Sequence, residues 1–172
     1  MNLILLSGGL DSALCLHRYG ANLAVGFDYG QRALIELGYA EKIAAKYGVP
    51  FERHSLLAMP KVNDVVAAGR NAVLLSAAAS IAQFRGFNSV TIGCNFSDAT
   101  RFPDCRPAFI KAMNAALSEA YGVTVHAPLL TTSKAMIVQE GKTAGLPETW
   151  TCYAPNNGKP CGECYSCKSL LS

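Results

Sequence analysis

The stretch LILLSGGLDSALCL, residues 3–16, changes character twice within fourteen residues. Leu3 to Leu6 form an unbroken apolar run of the kind a strand buried on both faces shows, and Leu10, Ala13, Leu14 and Leu16 fall on one face of a helix. Between them stands Ser7-Gly8-Gly9. Two glycines permit close backbone approach, and the helix start that follows offers unpaired N–H groups and the positive end of a dipole. Ser7 and Ser12 add hydroxyls, so the turn reads as an anion site running from Ser7 through Gly8, Gly9, Leu10 and Asp11 to Ser12. Asp11 would repel a phosphate unless a metal or a donor group intervened, which points to a nucleotide carried with magnesium. Neither a Gly-Lys-Ser/Thr phosphate loop nor a G-x-G-x-x-G fingerprint is present.

Working outward, strand-like runs recur at NLILL, NLAVGFD, PFERHS, SVTIGCN and VTVHAP. Helical periodicity separates them near 10–19, 31–47, 71–85, 105–121 and 133–144. This alternation predicts an α/β fold, a parallel five-stranded sheet with helices on both faces, binding ligands beyond the carboxyl ends of its strands. With 172 residues, 51% hydrophobic and 16% charged, the chain suits one domain with a substantial core. A net charge of +3 suits a phosphorylated metabolite and argues against an extended nucleic-acid surface. No run reaches the roughly 18 apolar residues of a membrane span, and no secretion signal is apparent, so the chain reads as cytoplasmic.

Composition shifts at about residue 148, dividing an α/β domain over 1–147 from a cysteine-rich tail over 148–172 that is expected to pack on it as one unit. Cys152, Cys161, Cys164 and Cys167 follow a C-x8-C-x2-C-x2-C spacing, with Pro and Gly bending the chain between them. Four thiolates so placed suit a closed, structural zinc site. An iron–sulfur cluster is the main rival, but the Cys-Pro that completes ferredoxin runs is missing. Cys15, Cys94 and Cys105 read as packing residues, and the three histidines form no pattern.

Other polar residues cluster after strands. Lys134 lies in the first turn of a predicted helix, where a cation opposes the dipole unless a phosphate shares that end; a solvated lysine is the alternative. Asp104 reads as the N-cap of a helix with Pro107 in its first turn, leaving Arg106 an accessible cation. Asp28 closes the second strand at the sheet's carboxyl edge.

The SGGLDS string matches the pyrophosphate loop of the N-type ATP pyrophosphatases, which cleave ATP between its α and β phosphates. Further strings narrow the resemblance: DYGQR with Glu36 beyond it, GRN at 69–71, IGCNFSD at 92–98, FPDCRPAFI at 102–110, PLLTTSKAMIV at 128–138, and TWTCY leading into the cysteine tail. Together they resemble the 7-cyano-7-deazaguanine synthase family over nearly the whole chain. The resemblance implies a Rossmann-like, adenine-nucleotide hydrolase-like fold. The implied substrates are ATP, 7-carboxy-7-deazaguanine and ammonia; the carboxylate is activated as an acyl adenylate, converted to the amide, and dehydrated to the nitrile. It implies zinc and magnesium, a homodimer, and no direct nucleic-acid partner. Asp11, Ser12, Lys134 and Arg106 are the implied catalytic groups, with Arg106 facing either the carboxylate or the phosphate. Asp28 joins the loop residues in holding ATP, and Tyr29, Gln31, Arg32, Arg70, Asn71, Asn95, Asp98 and Asp104 are the implied substrate contacts, with Asp98 or Asp104 reading the donor pair of the guanine-like ring. The sequence departs from the family pattern in a short segment, AMPKVNDVVAA at 58–68, and at Ala33, Phe102, Ala108 and Met136, all expected to border the pocket. These departures keep open a compact relative that stops at 7-amido-7-deazaguanine, and the shared pyrophosphate loop keeps open a sulfur-inserting RNA-modifying enzyme.

Overall fold

The computed structural model describes residues 1–56 and 69–168; the short segment at 58–68 lies outside them. The apolar run forms β1 (Asn2–Leu5), the first and central strand, and the next residues wind into α1 (Leu10–Tyr19). The chain continues as β2 (Leu23–Asp28), α2 (Glu36–Lys46), β3 (Phe51–Ser55), α3 (Arg70–Phe84), β4 (Ser89–Thr91) and α4 (Phe96–Arg101). A 3-10 turn at Pro103–Cys105 leads to α5 (Pro107–Tyr121), β5 (Thr124–His126), α6 (Lys134–Thr143) and a single-turn α7 (Tyr165–Lys168). All strands pair in parallel, in the order β3-β2-β1-β4-β5. The order reverses between β1 and β4, so the crevice for a ligand opens above those two strands.

The unbroken apolar run follows from burial on both faces. Leu3 and Leu5 point into a core formed with Leu75, Ala78, Ala79 and Ala82 of α3 and Ile110 and Leu117 of α5. Ile4 and Leu6 point the other way, against Leu10, Ala13 and Leu14 of α1, Ala40 and Ile43 of α2 and Ile137 of α6. No helix among the described residues is long and apolar enough to cross a membrane.

The structure differs from the sequence reading in three places. The predicted helix over 31–47 begins only at Glu36, because Gln31 folds back onto its own loop: its amide donates to Phe27 O at 3.0 Å and its Oε1 accepts from Tyr29 N at 2.9 Å. The fourth strand stops at Thr91, and α4 starts where Asn95 Oδ1 accepts the Asp98 N–H at 2.9 Å, a helix cap hidden behind the strand-like SVTIGCN. Asp104 is not the cap of α5: Arg106 takes that position, with Pro107 first in the helix. The buried Asp104 carboxylate instead accepts the Asn71 N–H at 3.0 Å and closes the start of α3.

Gly8 is the tightest point. Its φ is +86°, and a Cβ there would lie 2.0 Å from the Glu36 carbonyl oxygen in α2. Gly8→Ala therefore combines backbone strain with a clash against helical backbone, and should cost about 2 to 4 kcal/mol. Urea unfolding checks this: the midpoint should fall with little change in slope.

Candidate active site

The turn after β1 is held open by its own hydroxyls. Ser12 Oγ donates to Gly9 O at 3.1 Å and accepts from Ser7 N at 3.3 Å; Ser7 and Ser12 Oγ lie 3.2 Å apart, and Ser7 Oγ accepts from Gly9 N at 3.3 Å. Gly9 occupies the helix N-cap without a side-chain cap, so the first-turn N–H groups of α1 remain available to a ligand. Gly93, after β4, packs so closely that a Cβ would lie 2.8 Å from Ser12 N. Side-chain-free backbone thus forms both walls of the turn.

Lys134 is not a solvated lysine. Ser133 caps α6, and the Lys134 ammonium crosses to Asp11 Oδ2 at 2.7 Å with only 12% of its side chain exposed. Fully buried Asn95 ties the other half together, its Nδ2 donating to Asp11 Oδ1 at 3.2 Å and to Asp98 Oδ2 at 2.7 Å. Burial, reinforced by the neighbouring Asp11 charge, raises the Asp98 carboxyl to about 6.

Lys134, Asp11 and Asp98 line one cavity above the β1–β4 switch point, together with Ser7, Gly9, Leu10, Ser12, Tyr29, Arg70, Asn71 and Asp104. Gly8, Asp28, Gln31, Arg32, Asn95 and Arg106 are not in its lining. Gly8 contributes its carbonyl to Trp150 N at 2.8 Å. Asp28 is held by Arg53 Nη2 at 2.5 Å, and that guanidinium keeps its carboxyl below the usual range. Gln31 donates to Glu36 Oε1 at 3.2 Å, Arg32 is exposed, and Arg106 Nε donates to Ala99 O at 3.3 Å on the surface. Of the four substitutions expected to border the pocket, only Phe102 lines it. Ala33 packs beside Trp150 and Cys152, Ala108 is exposed, and Met136 is 61% exposed.

The cavity also contains residues the sequence reading left out. Glu36, behind Gln31, is pushed up to about 7 by burial, against the pull of Arg70. Arg70 Nη1 donates to the Tyr29 hydroxyl at 2.7 Å, and burial raises the Tyr29 phenol. The cysteine tail supplies Trp150, Thr151, Tyr153, Tyr165 and Ser166, so it is a wall of the cavity as well as an appendage. Composition marked the tail only as cysteine-rich; its TWTCY and CYSC strings do place aromatic and hydroxyl side chains beside the thiols.

The four tail sulfurs, Cys152, Cys161, Cys164 and Cys167, lie within 4.8 Å of one another. A tetrahedral zinc with bonds of about 2.3 Å sets its sulfurs about 3.8 Å apart, whereas a cubane cluster binds each cysteine to a separate iron and needs a wider cage. Backbone N–H groups of Cys161, Cys164 and Cys167 point at the sulfurs of Cys152, Cys161 and Cys164 at 3.2, 3.3 and 3.4 Å, which suits thiolates.

Comparison with known proteins identifies the family and the fold. A family model described as "Queuosine biosynthesis protein QueC" matches residues 1–67 and 57–170. The chain belongs to the QueC family. The 7-cyano-7-deazaguanine synthase of Leptospira interrogans is 37% identical over 198 residues, spanning 95% of this chain and 82% of its own. That of Trichodesmium erythraeum is 36% identical over 208 residues, spanning 98% and 93%. Among solved structures, NMN synthetase from Francisella tularensis superposes with a TM-score of 0.61 at 14% identity, covering 94% of this chain and 70% of that one. The U34-tRNA thiolase NcsA from Methanococcus maripaludis, which holds a [4Fe-4S] cluster, gives 0.61 at 15%, covering 88% and 60%. At such identities these two similarities establish a shared fold.

Asp98 generates a test. Its carboxyl is raised in the folded protein, so the native state binds the proton more tightly than the unfolded chain, and stability falls as pH rises from about 4 through about 6. Asp98→Asn should then stabilise the ligand-free protein at pH 7.5 by up to about 3 kcal/mol, with the gain gone below pH 4. Thermal melts across pH in metal-free buffer check this. Cys164→Ser should lose the bound metal, counted by elemental analysis after dialysis, and lower stability by several kcal/mol.

Proposed function

We propose that this protein is an ATP-dependent 7-cyano-7-deazaguanine synthase that converts 7-carboxy-7-deazaguanine and ammonia through an acyl adenylate to the amide, and the amide to the nitrile. The observation that carries the reading is the convergence, in a chain of this family, of an open helix N-terminus with the Asp11–Lys134 pair and a polar inner chamber in one cavity.

A carboxylate will not expel oxide, so its oxygen must first be given a good leaving group. Attack of that oxygen on the α-phosphorus of ATP forms the acyl adenylate and releases pyrophosphate. The departing charge is met by the first-turn N–H groups of α1 and by Lys134, which Asp11 holds over the turn. Ammonia then attacks the carbonyl carbon and AMP leaves. Asp98, a carboxylate that ionises near neutrality, accepts the proton that nitrogen must shed. In the second round the amide oxygen takes the adenylyl group, and loss of two N–H protons with AMP leaves the nitrile. Asn95 keeps Asp11 and Asp98 in register for both rounds.

Asp11, at the open start of α1, is the carboxylate that would hold a magnesium ion carried with the nucleotide phosphates. Magnesium would neutralise charge on the phosphates. The four thiolates fit zinc, whose closed site fastens the tail against the cavity. The same reading carries a cytoplasmic homodimer, on the family's pattern.

Mass spectrometry of the product with excess ATP and ammonia tests the proposal. The nitrile should form with AMP and pyrophosphate as co-products and two ATP consumed per acid, and synthetic amide should also be converted. ADP and phosphate would refute the adenylation chemistry, and accumulated amide would confine the protein to the first round. Asp11→Ala should reduce kcat by about a hundredfold or more without unfolding the protein.

A further inference from the structure

Three groups at the inner end of the cavity have no task in adenylation. Glu36, on the first turn of α2, has one hydrogen-bond partner, the Gln31 amide at its Oε1, and its Oε2 accepts none among the described residues. Arg70 opens α3 and reaches the Tyr29 hydroxyl through Nη1, with its guanidinium carbon 5.7 Å from that ring's centre. Its Nε is sealed from solvent and has no partner, the only such side-chain atom among the described residues. With Nε closed off inside the protein and Nη1 taken by the Tyr29 hydroxyl, the guanidinium edge that Arg70 leaves for an acceptor in the cavity is Nη2.

The missing ligand edge must therefore offer an acceptor to Arg70 and donors to Glu36. A 2-amino-6-oxo ring presents this order: O6, then N1–H, then the exocyclic 2-amino group. The adenine edge does not, because its 6-amino donor stands beside the N1 acceptor; an ionised Glu36 would satisfy one and repel the other, and Arg70 would meet an amino group. The two aspartates expected from the sequence to read the ring are otherwise engaged. Asp104 closes α3, and Asp98 is bound to Asn95 at the phosphate end.

We propose that Glu36 and Arg70 are the specificity-determining pair for the deazaguanine ring: Glu36 accepts N1–H and the 2-amino group, Arg70 Nη2 donates to O6, and Tyr29, holding Nη1, fixes the guanidinium plane. This rests on the synthase reading above. Gln31 is then a positioning residue that orients the Glu36 carboxylate. Burial pushes the Glu36 carboxyl up to about 7, so the paired donors of the ring would favour its ionised form on binding.

The test compares 7-carboxy-7-deazaguanine with its analogue lacking the 2-amino group, in wild type, Glu36→Gln and Arg70→Lys. Wild type should prefer the natural acid by about 10- to 100-fold in kcat/KM, the usual worth of a bidentate pair. Glutamine keeps the shape of Glu36 but offers only one acceptor, so Glu36→Gln should raise KM for the acid by a similar factor and bring the two rings within a few-fold of each other. Arg70→Lys keeps the charge and loses the planar fork that lets one nitrogen hold Tyr29 while another meets O6; it should weaken both rings alike, since both carry O6. KM for ATP should stay within about twofold in each variant. Unchanged discrimination in Glu36→Gln overturns the assignment, as does a loss falling on KM for ATP, which would put Glu36 at the adenine. Failure of the wild-type protein to turn over either acid sinks the synthase reading itself, and this assignment with it.

Discussion

The site depends on how closely Gly8 can lie against α2. The turn after β1 must expose the start of α1 while its other side is covered, and at Gly8 that cover is helical backbone: a Cβ there would lie 2.0 Å from the Glu36 carbonyl. From that contact the rest is arranged. The Gly8 carbonyl is turned to Trp150 N, which anchors the tail; α2 is brought so near that its first side chain, Glu36, enters the cavity; and Gly93 presses on the opposite side at Ser12. Backbone at Gly8 and Gly93 and the short Ser7 and Ser12 hydroxyls hold the turn, so it is braced without bulky side chains in the space above the helix start.

The same contact explains why the cysteine tail matters to the chemistry. With little apolar surface of its own, the tail cannot fold by burial. Four thiolates within reach of one metal ion would give it shape on the proposed reading, and the Trp150 indole, 5% exposed and donating to Cys152 O at 2.7 Å, locks the tail to Tyr39 of α2 and to Ala33 in the loop before it. The thiol cluster thereby bears on the cavity, because Thr151, Tyr153, Tyr165 and Ser166 stand on the same few turns. Fastening the tail completes the cavity wall, which helps to exclude the water that would hydrolyse an acyl adenylate.

What was legible in the sequence was local. The apolar run, the glycine pair and the thiol spacing each lie within a few residues, and each has a backbone or ligand geometry that few other patterns satisfy. What was not legible depends on partners far apart in the chain. Asp104 looks like a cap for the helix that follows it, yet its acceptor goes to Asn71, 33 residues earlier, because the 3-10 turn folds it under α3. Arg70 and Tyr29 are 41 residues apart, and nothing in GRN or DYGQR says that they touch. The α4 helix was readable in principle from its Asn95–Asp98 cap, but β-rich residues just before it masked the boundary. Departures at Ala108 and Met136 seemed to border the pocket because they adjoin PDCRP and SK; both instead face solvent, since helices turn such neighbours outward.

The polar interior divides by charge in a way that matches two successive substrates on one nucleotide site. At the mouth, Lys134, Asp11, Asn95 and Asp98 form a connected series in which carboxylate, amide and ammonium neutralise one another across short hydrogen bonds. Glu36, Tyr29 and Arg70 form a second group in the lining, where Arg70 holds the Tyr29 hydroxyl and Glu36 Oε2 accepts no hydrogen bond among the described residues. An adenylating centre that must handle first a carboxylate and then a neutral amide cannot recognise its substrate by the charge of the reacting group, since that charge is lost between rounds. Recognition must come from the part of the molecule that does not change, the ring. On the proposed reaction, a group balanced for phosphate and a separate Glu36–Arg70 group facing a heterocycle would meet that requirement: the ring would stay bound while the group at C7 is exchanged, and the second activation would reuse the apparatus of the first.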